Sequence, residues 1–369
     1  MIEPFRIDVS DAVLDDLHER LARTRYPNEI EGIGWDQGTP LAYLRELVDY
    51  WRDEYDWRVH EAHLNSYDNF VTEHDGQRIH FLHVRSRHAD AMPLLLVHGW
   101  PGSVVEFLDV IEPLTDPADP ADACSLVIPS LPGYAFSAPT AVRGWTPRRI
   151  AEAFAQLMAD VGYERYAVQG GDWGSIVVCN LADLEPDRVA GLHVNFLTVP
   201  PPKGEQPSPL SEARARFAVT GTGYQMIQRS KPQTIGYLLD DSPAGLAGWI
   251  VEKFREWSDC DGDVERSFTK DQLLTNIMLY WVNTAGTSSA RLYWEMHEAR
   301  AASIPQQPVT VPTGVANFPA ELGRTQRAWA ERRYKIVHWS ELDRGGHFAA
   351  MEVPDVFAAD LLEFLRLVR

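Results

Sequence analysis

The stretch VQGGDWGS, residues 168–175, decides the fold of this chain. The apolar run RYAVQ leads into it and the helix-forming run SIVVCNLADL follows, so we predict a strand, a sharp turn and a helix. Gly170, Gly171 and Gly174 permit a turn that is too tight for larger residues. Asp172 then projects from the tip of the turn, where such units commonly carry a nucleophilic serine. The structural alternative is that Asp172 only caps the helix, whose N-terminus favours a negative charge.

Predicted strands and helices alternate on both sides of this turn. Apolar runs at residues 93–97 and 125–129 are typical of buried parallel strands, and RVAGLHVNFL, which begins at residue 188, is a further predicted strand. Upstream, two alternating runs meet at Asp75 and Gly76, which is a hairpin signal. Downstream, two more strand-like runs precede a last helix that begins at Pro354. The alternation predicts an α/β fold with a mostly parallel eight-stranded sheet flanked by helices.

Changes in composition divide the chain into four predicted segments. Residues 1–67 are helical and rich in aromatic residues, and residues 68–205 carry the first part of the α/β core. The proline-rich stretch VPPPKGEQPSP then leads into a helical and aromatic insertion at residues 206–305. Residues 306–369 complete the core. We therefore expect a helical lid inserted between the sixth and seventh main strands.

Bulk composition excludes several classes of protein. The net charge of −19 and the pI near 5.0 disfavour nucleic acids and anionic membranes as partners. The chain has 3 cysteines without the spacing of a disulfide framework or a metal site. Its N-terminus lacks the apolar core of a signal peptide, and no uncharged apolar run is long enough to span a bilayer. We expect a cytoplasmic protein without a metal ion.

A second motif, HGWPGS at residues 98–103, follows the apolar strand PLLLV. In α/β-hydrolases this turn supplies one backbone N–H of an oxyanion hole, and the residue after the nucleophile supplies the other. These would be the amides of Trp100 and Trp173. His98 is better interpreted as a structural hydrogen-bonding residue than as a base.

The third motif, DRGGHFAAMEVP at residues 343–354, places His347 in a glycine-rich loop after the last strand. The α/β-hydrolase fold orders its catalytic residues as nucleophile, acid and histidine. VPTGVANFPAEL offers Glu321 as the acid, and the alternative is that Glu321 only supplies charge to the first turn of a helix. Asp343 is a rival acid, but it is too close in sequence to His347 to approach the ring easily from behind.

An aspartate nucleophile indicates a particular chemistry. A carboxylate is already ionised at neutral pH, so it can attack an sp³ carbon directly and form an alkyl ester. The histidine then activates water to hydrolyse the ester. Opening an epoxide releases a basic alkoxide that needs a proton donor, whereas a departing halide needs none. Tyrosine suits that role, and the insertion contains four: Tyr224, Tyr237, Tyr280 and Tyr293.

The motifs together resemble those of the microsomal-type epoxide hydrolases. The segment GWDQGTPLAYLRELVDYWRDEYDWRVHEAHLNSYDNF resembles the family's N-terminal segment, and HGWPGS, GGDWGS, VPTGVANFPAEL and GGHFAAMEVP match its core motifs in order. The resemblance covers essentially the whole chain. It implies an α/β-hydrolase fold with a helical lid and an N-terminal meander that wraps the core and the lid.

Residue by residue, the resemblance assigns the nucleophile to Asp172, the general base to His347 and the charge-relay acid to Glu321. It assigns the two proton donors of the lid to Tyr224, in GYQMIQRSKPQTIG, and to Tyr293, in SARLYWE. It implies that the enzyme needs water and no organic cofactor. The aromatic lid favours a small hydrophobic epoxide, either aryl or alkyl.

The chain departs from the family in one respect. Microsomal members often carry an N-terminal membrane anchor, whereas this chain starts directly with the N-terminal segment, so we expect no anchor. Detoxification and secondary metabolism are both roles that the resemblance allows. The oligomeric state stays open, with a homodimer through the N-terminal segment or the lid as one arrangement.

Two alternatives remain at this stage. A haloalkane dehalogenase also places Asp before Trp at this turn, but its typical pattern has Asn where this chain has Trp100. A non-catalytic binding protein on the same fold would not require the set of Asp172, Glu321 and His347.

Overall fold

The computed structural model of the chain describes residues 1–205, 217–299, 305 and 307–369. Within these residues nine strands form one sheet, in the order β1-β2-β3-β5-β4-β6-β7-β8-β9. The strands are β1 (Glu3–Pro4), β2 (Asn69–His74), β3 (Gln77–Val84), β4 (Met92–Val97), β5 (Cys124–Pro129), β6 (Tyr166–Gly170), β7 (Val189–Val194), β8 (Val309–Asn317) and β9 (Tyr334–Glu341).

Most of the sheet is parallel. Every pairing along β5, β4, β6, β7, β8 and β9 is parallel, and β1, β2 and β3 add antiparallel partners at one edge. The predicted mostly parallel sheet is confirmed, with β2 to β9 as its eight main strands. The two-residue strand β1 is an addition that the prediction missed, because two residues are too few to show a strand periodicity.

Helices cover the sheet and form the insertion. They are α1 (Asp11–Ala22), α2 (Leu41–Asp53), α3 (Trp57–Leu64), α4 (Ile111–Thr115), α5 (Pro147–Val161), α6 (Asp172–Leu184), α7 (Gly223–Ser230), α8 (Pro232–Leu239), α9 (Pro243–Trp257), α10 (Lys270–Trp281), α11 (Ala285–Ala299), α12 (Arg327–Ala330), α13 (Ala349–Glu352) and α14 (Pro354–Arg366). Short 3₁₀ segments lie at Gly34–Gln37, Val104–Val110, Pro120–Asp122, Ala135–Ser137 and Val264–Arg266, and a π-helical turn lies at Phe217–Gly221.

Local signals in the sequence explain where several helices begin. The Thr146 hydroxyl accepts the Arg149 N–H at 3.3 Å and Pro147 is the first residue of α5, so the predicted start of that helix is confirmed. A capping box between Thr269 and Gln272 begins α10. The last helix, α14, begins at Pro354 as predicted.

The N-terminal segment contacts both the sheet and the inserted helices. Strand β1 pairs with β2, and the Tyr50 hydroxyl donates to Asp271 of α10 at 2.8 Å. The Thr39 hydroxyl donates to the carbonyl of Gly248 in α9, also at 2.8 Å. These contacts join the N-terminal segment to both the sheet and the inserted helices.

Helices α7 to α11 lie between β7 and β8, the sixth and seventh main strands, where the insertion was predicted. At the predicted boundaries 205/206 and 305/306, residues 206 and 306 lie outside those that the structure describes. In the described ranges, no helix is both long enough and apolar enough to cross a bilayer.

Candidate active site

Asp172 lies at the turn between β6 and α6. Its φ of 46° is in the left-handed region, which an aspartate adopts at a cost in free energy. The turn is too crowded for side chains on either flank. A Cβ on Gly174 would lie 1.9 Å from the carbonyl oxygen of Val97, and one on Gly170 would lie 2.4 Å from the carbonyl carbon of Gly174. The glycines therefore let the turn pack directly on the end of β4.

The carboxylate of Asp172 contacts the loop that follows β4. The Trp100 N–H donates to Asp172 Oδ1 at 2.8 Å, and a Cβ on Gly99 would lie 2.3 Å from the same oxygen. Trp173 is the second residue of α6, so its N–H is among the first four of the helix, which have no acceptor within it. Of the two predicted oxyanion-hole amides, that of Trp100 is therefore directed at the Asp172 carboxylate, and that of Trp173 belongs to the residue that follows Asp172.

Helix α10 holds this loop in place. Asn276 donates to the carbonyl of Pro101 at 2.8 Å, and the Tyr280 hydroxyl donates to the carbonyl of Gly102 at 2.7 Å. His98 links the loop to the sheet, because its Nδ1 donates to the Gly99 carbonyl at 2.9 Å and its Nε2 accepts the Leu131 N–H at 3.1 Å. Burial lowers the pKa of His98 to about 4, so the ring is neutral and structural.

His347 follows β9 in a loop whose backbone is tied to the lid. Its N–H donates to the carbonyl of Trp257 at 2.9 Å, and its side chain is 3% exposed. Nδ1 lies 3.0 Å from both carboxylate oxygens of Glu321. Nε2 lies 3.4 Å from Asp172 Oδ2. The structure thus brings together the three residues that the sequence selected.

Glu321 comes from the loop after β8 and is fully buried. Its Oε1 also accepts the Gly323 N–H at 3.0 Å, which fixes the orientation of the carboxylate. The rival acid, Asp343, is exposed at the surface. Of the two candidate acids, Glu321 is therefore the one that lies behind the imidazole.

The charges around His347 control its protonation. Burial of the imidazole lowers its pKa, but the carboxylates of Glu321 and Asp172 outweigh burial and raise the pKa well above 6.5. The two carboxylates therefore favour the protonated form of the ring while Asp172 carries its charge.

Two of the four candidate tyrosines face Asp172. Tyr224 stacks on Trp100 with ring centroids 5.0 Å apart, and Tyr293 meets the Trp173 ring edge-on at 4.7 Å. Their own rings lie 5.8 Å apart. Burial, reinforced by the Asp172 carboxylate for Tyr224 and by Tyr224 and Asp172 for Tyr293, raises the pKa of both phenols, so both are protonated at neutral pH.

The remaining two tyrosines are placed differently. Tyr237 is 69% exposed, and Tyr280 uses its hydroxyl on the Gly102 carbonyl.

A cavity of about 270 Å³ opens onto this set of residues. Its lining comprises Asp172, Trp173, Ile176, Phe196, Tyr224, Gln225, Arg229, Tyr293, Met296 and His297. A neighbouring, mostly apolar cavity of about 810 Å³ shares Ile176, Phe196 and Met296 with it. Within the described part of the chain, no group of three or more His, Cys, Asp or Glu residues is arranged to hold a metal ion.

Sequence reasoning missed a cation beside this cavity. The Lys253 ammonium lies 4.8 Å from the centre of the Tyr224 ring, pairs with Glu252 at 2.7 Å and is almost completely buried. A cation over a phenol ring stabilises the phenolate relative to the phenol. The only sequence signal for this cation is a lysine within the predicted helix GWIVEKFREW. The sequence does not reveal which ring the lysine covers.

Comparison with known proteins identifies the family of the chain. Residues 2–107 match the family model described as the epoxide hydrolase N terminus, and residues 92–202 match the model of the α/β-hydrolase fold. A protein from Stigmatella aurantiaca that is named as an epoxide hydrolase is 47% identical, over 100% of this chain and 86% of that protein. Epoxide hydrolase 1 from Oryctolagus cuniculus is 36% identical, over 100% of this chain and 89% of its own.

Solved structures show the same relationship. The juvenile hormone epoxide hydrolase of Bombyx mori superposes with a TM-score of 0.92 at 35% identity, covering 100% of this chain and 95% of that chain. The epoxide hydrolase of Aspergillus niger gives a TM-score of 0.88 at 32% identity, covering 100% and 97%. This chain belongs to the epoxide hydrolase family of the α/β-hydrolase fold.

Proposed function

We propose that the chain hydrolyses an epoxide to a vicinal diol through a covalent ester on Asp172. The observation that carries this is the placement of the Asp172 carboxylate, held by the Trp100 N–H, 3.4 Å from His347 Nε2 and below the Tyr224 and Tyr293 pair. An esterase would place a hydroxyl at this turn, so the carboxylate supports attack on an sp³ carbon.

In the first step an oxygen of Asp172 attacks an epoxide carbon. The new carbon–oxygen bond forms as the ring carbon–oxygen bond breaks, and the electron pair of the broken bond passes to the epoxide oxygen. Tyr224 or Tyr293 donates a proton to that oxygen while the other tyrosine donates a hydrogen bond. A hydroxyalkyl ester of Asp172 results.

In the second step water hydrolyses the ester. Esterification removes the negative charge of Asp172, so the pKa of His347 falls. The lower pKa favours the neutral ring, which is the form that can accept a proton. His347 takes one proton from water, and the hydroxide adds to the ester carbonyl carbon of Asp172. The amides of Trp100 and Trp173 stabilise the oxyanion that forms, and Glu321 stabilises the imidazolium. Collapse of this intermediate releases the diol, whose oxygen receives the proton from His347. The proton left on the Asp172 carboxyl then returns to the tyrosine that donated one in the first step, which restores both groups.

Each step uses only water and groups of this chain, so we propose no metal ion and no organic cofactor. The apolar lining of the two adjoining cavities supports a hydrophobic epoxide, aryl or alkyl, as the substrate. The acidic charge and the buried, free cysteines support the cytoplasm as the location. A homodimer stays a prediction.

A trapping experiment tests the mechanism. His347→Gln should permit alkylation of Asp172 and block hydrolysis of the ester. The variant is incubated separately with styrene oxide and with a 1-haloalkane, and the adduct is mapped by intact mass and peptide mass. We expect a gain of one whole epoxide on the peptide that contains Asp172. An adduct from the haloalkane alone would assign a dehalogenase, and no adduct from either would contradict the proposal.

A further inference from the structure

The side chain of Glu106 lies beneath the loop that contacts Asp172. Glu106 belongs to the 3₁₀ segment Val104–Val110, and the sequence SVVE predicts a capping box in which it would bond back to Ser103. Its carboxyl instead faces the backbone N–H of Gly99, which acts to lower the pKa of that carboxyl. A Cβ on Gly102 would lie only 1.5 Å from Glu106 Oε1, so the carboxyl occupies the space that a side chain there would need.

The backbone N–H groups of two consecutive residues in this loop face two different carboxyl groups. The Gly99 N–H faces Glu106 and acts to lower its pKa, and the Trp100 N–H donates to Asp172 Oδ1 at 2.8 Å. On the Cα side of Gly99, a Cβ would lie 2.3 Å from the same Asp172 oxygen. Glu106 and Asp172 therefore approach the same glycine from different directions. His347, whose Nε2 faces Asp172, also interacts electrostatically with Glu106.

The electrostatic surroundings make Glu106 responsive to the state of Asp172. Burial, opposed by His347 and the Gly99 N–H and reinforced by the charge on Asp172, raises the pKa of Glu106 to about 8. When Asp172 becomes an ester, its charge is lost and the pKa of Glu106 falls. Glu106 as a residue is partly exposed, although its carboxyl lies deep enough for burial to be the largest influence on its pKa.

We propose that Glu106 binds the hydrolytic water as an acceptor and orients it for attack on the Asp172 ester. This inference rests on the proposed function. One O–H of the water donates to the Glu106 carboxylate and the other gives its proton to His347 Nε2. The water oxygen then forms the new bond to the carbonyl carbon of Asp172. Glu106 is thus a catalytic residue of the second step and takes no part in the first.

A second acid near His347 provides a matched control. Burial raises the pKa of Glu352 to about 7, and His347 influences it electrostatically as well. Its two oxygens, however, accept the backbone N–H groups of Phe348 at 2.9 Å and Asp259 at 2.8 Å. Glu352 is therefore committed to the backbone, whereas the single backbone partner of Glu106 is Gly99 among the contacts described.

The test compares Glu106→Gln with Glu352→Gln in single-turnover reactions with styrene oxide. Quenched samples are analysed by intact mass, so that formation and hydrolysis of the ester are measured separately. Glutamine keeps the carbonyl oxygen that accepts the Gly99 N–H, so a purely structural role would be preserved. We expect Glu106→Gln to form the ester at the wild-type rate and to hydrolyse it about tenfold more slowly or worse. In Glu352→Gln the ratio of the two rates should stay at the wild-type value.

The pH profile provides a second measurement. The substitution removes the ionisation of Glu106 and keeps the titratable groups that interact with it, namely Asp172, His347, Glu352 and Tyr280. Ester hydrolysis in Glu106→Gln should consequently show one ionisation fewer than in the wild type. Gly102→Ala, which displaces the carboxyl without removing it, should slow the same step and serves as the test if Glu106→Gln does not fold.

The outcomes are distinguishable. Wild-type ester hydrolysis in Glu106→Gln, or equal slowing of both steps, would overturn the role of Glu106 and leave the proposed function intact. Failure of His347→Gln to form any ester would overturn the proposed function and, with it, this inference.

Discussion

His347 lies between two carboxylates, with Nδ1 3.0 Å from both oxygens of Glu321 and Nε2 3.4 Å from Asp172 Oδ2. The proposed second step needs a neutral imidazole, whereas the two negative charges raise its pKa well above 6.5 despite burial. Loss of the Asp172 charge on esterification resolves this conflict.

Asp172→Asn imitates the ester, because it replaces the carboxylate with a neutral group of similar size. We expect the pKa of His347 to fall in this variant, because only one of the two neighbouring carboxylates, that of Glu321, remains. NMR titration of the imidazole resonances measures this directly, with His338 as an internal control whose pKa is set by Asp360 and by burial. An unchanged pKa of His347 would show that Asp172 does not control the base.

Glu321→Gln tests the acid behind the imidazole. The substitution removes the charge that stabilises the imidazolium and permits an amide N–H to face Nδ1, which favours the wrong tautomer. We expect ester hydrolysis to slow by about 10²–10⁴-fold. Single-turnover kinetics with the quenched-mass readout measures the step.

The matched control for that experiment is Asp343→Asn, which neutralises the exposed rival acid. Its ester hydrolysis should match the wild type. Slow hydrolysis in Asp343→Asn together with normal hydrolysis in Glu321→Gln would reverse the assignment of the acid.

The tyrosine pair should act in the first step only. Replacing Tyr224 or Tyr293 with Phe removes one hydrogen bond to a developing alkoxide, which is worth about 1.5–3 kcal/mol, or roughly 10- to 150-fold in rate. Formation of the ester should slow by that amount in each single variant and further in the double variant. Quenching of tryptophan fluorescence is a suitable probe, because Trp100 and Trp173 contact the pair.

Tyr237→Phe is the control for general effects of losing a phenol, since its ring is 69% exposed. It should form the ester at the wild-type rate. Equal slowing in all three single variants would mean that the hydroxyls affect the lid rather than the epoxide oxygen.

The elements that the sequence predicted well are those whose signals are local. The turn at Asp172 follows from glycines whose replacement would cause backbone clashes within a few residues of the turn or with the next strand. The parallel strands are continuous apolar runs, and the starts of α5 and α14 have Thr–Pro or Pro signals. Such patterns do not depend on the rest of the fold.

Features that depend on contacts between distant parts of the chain were harder to predict from the sequence. Four lid tyrosines look alike in the sequence, and only the fold directs Tyr280 to the Gly102 carbonyl and exposes Tyr237. The resemblance to a family, rather than any pattern, selected Tyr224 and Tyr293. Glu106 was missed because SVVE is also an ordinary helix-start pattern, and its carboxyl reaches Gly99 through the tertiary path of the loop.

A buried cluster away from the cavity should govern the pH dependence of stability. Asp360 of α14 accepts from His338 Nε2 of β9 at 2.9 Å and from His193 Nε2 of β7 at 3.0 Å. Burial raises the pKa of Asp360, but the hydrogen bonds from the two histidines and Ser340 outweigh it and lower the pKa below 3.8. The hydrogen bond to Asp360 conversely raises the pKa of His338 above 6.5, against the effect of burial.

The signs of these two changes define a window of pH. The stabilisation from Asp360 is present above its unfolded pKa, near 3.8, and is lost as the pH falls through the lower folded value. The stabilisation from His338 is full below 6.5 and is lost as the pH rises through its higher folded value. Asp360→Asn should therefore lower the free energy of unfolding most between about pH 4 and pH 6.5, by about 3–5 kcal/mol. Urea unfolding at a series of pH values, with Asp343→Asn as the exposed control, measures the difference, and a pH-independent loss would show that Asp360 contributes through packing alone.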